Sequence, residues 1–598
     1  MVRAQPRLFG LPLPAVALAA ALVVFLTTGW TIRTWAPLSA FRLPDNDDMM
    51  RLAEVRDWLA GQPLADLTQH RLGWGGDASM HWSRLADAGP AAMIALLAPL
   101  IGRHGAELAM LIGYPAILFF AAILLTARIV RRMDPRAVTI AVVAAGLSFP
   151  ANTLFIPGRI DHHGIQIVLS LVFLERLIAP PRWGHAAAAG IAAALSLAIG
   201  LETLPLVLIG MAALFWRFVT TEPAAGTRVD AALCGFGAAL GGTTLLLLAM
   251  LHPIVWPRMW CDGFTPASTG ATLIAASYFV LLGAVGPRLS GWRLRMGTGA
   301  LMGMAALPLV YQRASVCLNG PYGAIDPMLQ DLWMSRVGEA LGMFGQDSAG
   351  VALAYCAAGF VAVGATAWLL RGGRWQAPHW QMLAIVVTLG ALLTIVQIRA
   401  TYIVSIIAAV PLAVLIREVR AQSRSLIGRL GIWVLCCGVT YNVLGVFVDT
   451  ATASTVVAQR VEIGTCTGPD QLEALRRLRA GRVIAPLDSG AYLIGGTAHS
   501  VLAAPYHRNN QGNLAAYRFF LGPIGAAEGI ARTWRADYVV MCGTSFIELG
   551  PMTNRPGSVI AALRAGRPPA WLGGPIIRSG GLRVYTVKAR LPQGAPPL

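Results

Sequence analysis

Long apolar runs broken by short charged ones set the pattern of this chain. A run of about 20 apolar residues is the length a helix needs to cross a bilayer. Such runs fall near 12–32, 88–127, 137–156, 164–180, 185–201, 203–217, 231–251, 269–287, 297–311, 350–370, 381–398, 400–416 and 429–449. They predict thirteen membrane-crossing helices. The run at 88–127 is too long for one straight span and predicts a short helix at the membrane face followed by the crossing. From Val456 onward the pattern changes. Strand-like runs (Arg482–Leu487, Tyr538–Met541, Leu582–Val587) alternate with helix-like ones (Asp470–Ala480, Ile524–Ala536), with Gly and Pro between them. The expected architecture is a polytopic α-helical membrane domain over 1–449 and a soluble α/β domain over 450–598.

Composition supports lipid as the solvent for much of the surface. Of 598 residues, 56% are hydrophobic and only 13% charged, against about 25% charged in soluble domains. That excludes a disordered chain and argues against a purely soluble enzyme. The net charge of +18 would suggest nucleic acid on a soluble protein. Here the arginines are spread along the chain instead. With the N-terminus in the cytoplasm, the inward turns hold Arg128, Arg131, Arg132 and Arg136; Arg182; Arg217 and Arg228; Arg288, Arg293 and Arg295; Arg371 and Arg374; and Arg417, Arg420, Arg424 and Arg429. This is the positive-inside pattern, so the charge sets topology and no nucleic-acid partner is expected. The first span reads as an uncleaved signal anchor ending at Trp30 and Trp35.

The outward side receives the long loops 33–87 and 312–347, the turns Gly158–Gly164 and around Glu202, the loop His252–Pro266, and the C-terminal domain. Cys234, Cys356, Cys436 and Cys437 lie in apolar spans and read as buried hydrophobes. The other four cysteines lie on the outward, oxidising side and suggest two disulfides, Cys261–Cys317 and Cys466–Cys542.

Carboxylates beside the hydrocarbon are costly and therefore functional candidates. The first outward loop opens with Asp45-Asn46-Asp47-Asp48, three acids that repel one another unless a cation or proton intervenes. One of the three is expected to cap the helix that follows. In Asp161-His162-His163, Asp161 and His163 can point the same way from an extended turn. A carboxylate with an imidazole suits Mn²⁺ or Mg²⁺. His162 reads as a spectator or substrate contact. Glu339 stands late in the second long loop, and Arg399 opens the twelfth span on the outward side, against the charge pattern. A guanidinium there suits a phosphate.

In this order the pieces resemble the catalytic subunit of oligosaccharyltransferase and its bacterial and archaeal relatives, among the GT-C membrane glycosyltransferases. The likeness runs from end to end. The family's Asp six residues before an Arg matches Asp45 and Arg51, its Asp-x-His matches Asp161-His162-His163, and its Val/Ile-x-Glu matches Val337-Gly338-Glu339. Its arginine opening a late span matches Arg399.

The resemblance implies an enzyme of the bacterial inner membrane with a periplasmic C-terminal domain. Such an enzyme moves a sugar or oligosaccharide from a polyprenyl (di)phosphate carrier to an acceptor. Asp45, Asp161 and His163 would hold the divalent metal with Glu339 near it, Arg399 would hold the donor phosphate, and Asp47 or Asp48 would orient or deprotonate the acceptor. The family's Trp-Trp-Asp-Tyr-Gly motif finds its best counterpart in Pro486-Leu487-Asp488-Ser489-Gly490, which keeps the Asp and Gly but none of the aromatics. The acceptor is therefore open. His507 and Arg508 can face a substrate or order their loop. Two alternatives stand: a transferase using a polyprenyl-phosphate monosaccharide on lipid or polysaccharide, and a transporter or flippase of lipid-linked sugars.

Overall fold

The computed structural model describes residues 6–73, 78–221, 228–251, 260–318, 320, 322–323, 325–451 and 466–588. A helix stands on each of the thirteen apolar runs. By length and composition, eight of the described helices can cross a membrane, nine if one bent pair is a single span.

Three runs differ from simple crossings. The Leu85–Met133 helix breaks at Gly102, whose φ of 73° an L side chain adopts only under strain, so the long run is two helices in series. The run at 137–156 forms only the helix Val138–Gly146 and a short turn Ala151–Phe155. Nine residues at 1.5 Å each span about 14 Å, half of a hydrocarbon core. The last run is a helix pair, Leu426–Cys436 and Gly438–Ala451, bent by 76°. At the bend a Cβ on Gly438 would lie 2.7 Å from the Phe149 backbone nitrogen, so glycine permits the close approach.

The C-terminal domain is built on a five-stranded sheet in the order Ser500–Val501, Arg482–Ile484, Tyr538–Cys542, Leu582–Val587, Leu572–Ser579. The first three strands are parallel and the last two antiparallel. Helices Pro469–Arg476 and Ile524–Thr533 lie where the periodicity predicted them. Two further helices, Leu487–Gly496 and Asn510–Leu521, carry weaker patterns.

This domain is joined to the first long loop, 33–87, through a common core. Met49, Leu52 and Val55 of the Asn46–Leu59 helix are buried with Tyr492, Leu493 and Val501. Arg56 donates to the Gly495 carbonyl, Tyr506 to that of Asn46, and the Arg71 and Val501 backbones pair. The second long loop is likewise anchored, with Leu329 and Leu332 buried against Phe519 and Phe520. Disulfides join Cys261 to Cys317 and Cys466 to Cys542.

Candidate functional site

Two helix N-termini and four turns converge at one end of the bundle. Asp45 and Asp161 cap the helices Asn46–Leu59 and His162–Ile178, each accepting a backbone N–H two residues on. The turns carry Arg159, Glu202 and Arg399, and the short 3₁₀ turn Gly338–Ala340 brings in Glu339.

Arg159 organises the first half of the site. Its guanidinium lies 2.9 Å from Asp45, 3.2 Å from Asp48 and 2.7 Å from Asp161. Asp48 also accepts the backbone N–H groups of Ile160 and Asp161, which fixes the Asp161 turn against the first loop. Burial works to raise Asp161, but the charge of Arg159, followed by those of His163 and His162, holds it down at about 2. The same carboxylates hold Arg159 well above its ordinary range against the cost of burial.

Glu202 and Arg399 organise the second half. Glu202 faces His162 Nε2 at 2.7 Å and His163 Nδ1 at 3.2 Å. Arg399 lies 2.6 Å from Glu202 and 3.0 Å from Glu339. The Tyr402 hydroxyl donates to Glu339 at 2.8 Å. Burial disfavours the Glu339 carboxylate, yet Arg399, His163 and Tyr402 bring it below its usual range. Asp47 lies within electrostatic reach of Asp45, Asp161, His163 and Glu339. Enclosure by protein, then Asp45 and Asp161, push it up to about 7.

The geometry sorts the acids of the first loop. Asp45, like Asp161, caps a helix and shares Arg159. Asp47 makes no ion pair among the described residues; Asp45, Asp161 and Glu339 repel its charge, His163 attracts it, and the Tyr506 hydroxyl bonds it. His162 uses both ring nitrogens. Arg51 lies 3.4 Å from Nδ1, and because a guanidinium only donates, Nδ1 accepts and Nε2–H points to Glu202. His163 Nε2 has no hydrogen-bond partner among the described residues.

A buried wall backs this centre. Arg51 pairs with Asp87 at 2.7 Å and lies over the Trp82 ring, while Trp82 donates to Glu54 at 2.7 Å. Burial, followed by the charge of Asp87, pushes Glu54 up to about 8. His507 and Arg508 lie on the far side, where both bind Asp262. Arg508 also covers the Trp260 ring at 3.9 Å and donates to the Met80 carbonyl, so this pair orders the junction of three loop segments. Asp488 is elsewhere, in a cavity between the second long loop and the C-terminal domain.

Two cavities flank Tyr402. One of about 50 Å³ runs from His163, Glu202 and Arg399 between apolar Leu206, Leu393 and Ile403. The other, about 440 Å³, is lined by Asp45, Arg159, Glu339, Gln346 and Tyr355.

Sequence reasoning passed over Arg159, Glu202 and Tyr402. Arg159 and Glu202 carried the signal that singled out Arg399, a charge in a short outward turn between apolar runs. Tyr402 carried none.

Neither a protein-family model nor a curated protein sequence matches the chain. Solved structures do match its fold. The archaeal oligosaccharyltransferase AglB from Archaeoglobus fulgidus, in complex with an inhibitory peptide and a dolichol-phosphate, superposes with a TM-score of 0.64 at 16% identity, covering 89% of this chain and 69% of that one. A form of the Archaeoglobus fulgidus enzyme complexed with Zn and sulfate gives 0.59, again at 16% identity, over 94% of this chain and 71% of that one. A third, tethered to an acceptor peptide containing the NVT sequon, gives 0.60 at 16% identity, over 89% and 69%.

Proposed function

We propose that this chain, which has the fold of the archaeal oligosaccharyltransferase, transfers a sugar or oligosaccharide from a polyprenyl phosphate or diphosphate to an acceptor at the outer face of the membrane. The observation that carries the reading is the acidic centre. Asp47, Asp161, Glu202 and Glu339 gather around His163 and Arg399 at one end of an apolar bundle. Neighbours of the same fold bind dolichol-phosphate and an acceptor peptide, which supports a lipid-linked donor.

The donor set fits a divalent cation. Carboxylate oxygens with imidazole nitrogen suit Mn²⁺ or Mg²⁺, and burial, then the charges of Asp45 and Asp161, raise Asp47 to about 7, which a cation would answer. His162, His163 and Glu202, whose ligand atoms lie within 4.8 Å of one another, would hold it, with Asp47, Asp161 and Glu339 around His163. When bound, it supplies charge to offset the phosphate leaving group. Arg399 binds the donor phosphate from the apolar-walled cavity, and its present partners Glu202 and Glu339 hold the guanidinium in place until then. Tyr402 and His162 orient Glu339 and Glu202. Arg159 positions Asp161 and keeps it ionised. The outer face is the periplasmic one in this reading, with thirteen spans, the N-terminus cytoplasmic and the chain in a bacterial inner membrane.

A transporter wants charge near the bilayer midplane and broken helices in related halves. Here the charges gather at one end, which favours interfacial chemistry. The test is transfer by membranes carrying Asp161→Ala or Glu339→Ala. Loss of glycan transfer from a lipid-linked donor supports the reading, and wild-type transfer overturns it.

A further inference from the structure

The C-terminal domain puts one hydroxyl into the acidic centre. After the strand Ser500–Val501, the segment 502–513 turns back onto the first long loop. The turn is braced from within. Asn509 donates to the Leu502 carbonyl at 2.9 Å and to Asn513 at 3.0 Å, and Asn513 donates to the Tyr506 carbonyl at 3.0 Å. The next two residues, His507 and Arg508, clamp the turn to Asp262. Tyr506 is thereby carried, 4% exposed, edge-on to the Trp82 ring at 5.7 Å. Its hydroxyl donates to the Asn46 carbonyl at 3.1 Å and bonds the Asp47 carboxylate beside it.

The three acids of the first loop are held in different ways. Asp45 and Asp48 each accept a backbone N–H and lie beside Arg159. Asp47 has neither support among the described residues, and the Tyr506 hydroxyl is the group that fixes its direction. A carboxylate on two rotatable bonds keeps one direction only when a partner holds it there. The direction matters, because Asp47 lies within electrostatic reach of His163, Glu339 and Arg399. Packing against Trp82 would be served as well by phenylalanine, so the hydroxyl is the part of Tyr506 that packing does not explain. Polar groups that orient the acids of a metal site commonly cost about 10–100-fold in metal affinity or activity when removed.

We propose that Tyr506 is a positioning residue whose hydroxyl aims Asp47 into the acidic centre, so that docking of the C-terminal domain completes the site at the end of the bundle. This rests on reading that centre as a metal-assisted transfer site. Tyr506 acts through the charge that Asp47 presents. With phenylalanine in its place the contact with Trp82 is kept, and the Asp47 carboxylate is released to rotate away. Less negative charge then faces a cation at His162, His163 and Glu202.

The test uses the purified full-length protein in detergent, stripped of metal and freed of chelator, with Mn²⁺ as the probe. Binding is followed by the paramagnetic resonance signal of free Mn²⁺. Tyr506→Phe should weaken Mn²⁺ binding about 10-fold, while the thermal melt of the metal-free protein stays close to that of the wild type. Asp47→Asn should weaken it too. Adding Tyr506→Phe to that variant should weaken it no further, because the hydroxyl then has no charge to aim. Transfer from a polyprenyl-diphosphate-linked sugar should show a lower kcat for Tyr506→Phe with donor KM unchanged. Wild-type Mn²⁺ affinity in Tyr506→Phe, or an equal further loss on top of Asp47→Asn, overturns the proposal. A collapsed melt of Tyr506→Phe overturns it as well, by assigning the hydroxyl to folding. So does a wild type that takes up no Mn²⁺, and transfer by that protein without metal would leave the transfer reading standing. Mn²⁺ binding that depends on Tyr506 through Asp47, with no transfer by the wild type, would sink the transfer reading and leave the positioning role in place.

Discussion

Replacing Arg159 by Gln removes the one cation shared by Asp45, Asp48 and Asp161. The Asp161 side chain is 2% exposed and that of Asp48 0%, so water cannot take over the role. Holding Asp161 at about 2 instead of 3.8 corresponds to about 2 kcal/mol. Stranding Asp48 as well brings the single substitution to about 3–5 kcal/mol, the usual cost of breaking a buried pair. A double-mutant cycle of Arg159→Gln with Asp161→Asn isolates the pair, with an expected coupling of about 2–3 kcal/mol. The assay is reversible unfolding in mixed micelles at pH 7 with EDTA, so that no metal contributes. The folded-state pKa is depressed, so the coupling is full above about 4 and is lost as pH falls toward 2. A coupling below about 0.5 kcal/mol at pH 7 would refute the role given to Arg159.

Asp47 makes the opposite prediction. Its folded value near 7 lies above its ordinary 3.8, so the folded state binds the extra proton between them. Metal-free protein should therefore lose stability as pH rises from about 4 to 7, and Mn²⁺ should restore it at pH 7. Thermal melts with EDTA that stay level across that range would count against it. Tyr402→Phe removes the hydroxyl bond to Glu339 and should lower kcat by about 10-fold with little change in donor KM, whereas a pure KM effect would place Tyr402 in donor binding. Arg399→Lys keeps the charge but loses the two-sided contact with Glu202 and Glu339, and should weaken donor binding about 10-fold or more. Full activity of that variant would remove Arg399 from the phosphate site.

Much of this arrangement was legible before any coordinates. Apolar run length places a helix on every predicted run because the bilayer dictates it, and the four cysteines outside the apolar runs pair as expected. Asp161, His163, Glu339 and Arg399 stand out as charges where hydrocarbon makes charge expensive. What sequence alone could not decide was which carboxylate turns inward. Asp45, Asp47 and Asp48 differ by one or two positions, and their roles follow from the helix start, which points Asp45 at its own backbone and Asp48 at the Ile160 turn. The pairing of Arg399 with Glu202 joins residues 197 apart, and nothing local in the chain encodes it. The bend at Gly438 was illegible for the same reason, since it answers a contact with Phe149.

The central claim is chemical transfer at a metal-assisted acidic centre. The measurement that meets it most directly uses purified wild-type protein in proteoliposomes with a polyprenyl-diphosphate-linked oligosaccharide, following covalent product by mass spectrometry with and without EDTA. The account predicts a glycosylated acceptor and released polyprenyl diphosphate, abolished by EDTA and restored by Mn²⁺ or Mg²⁺. Movement of the intact lipid-linked sugar across the bilayer with no covalent product would contradict it.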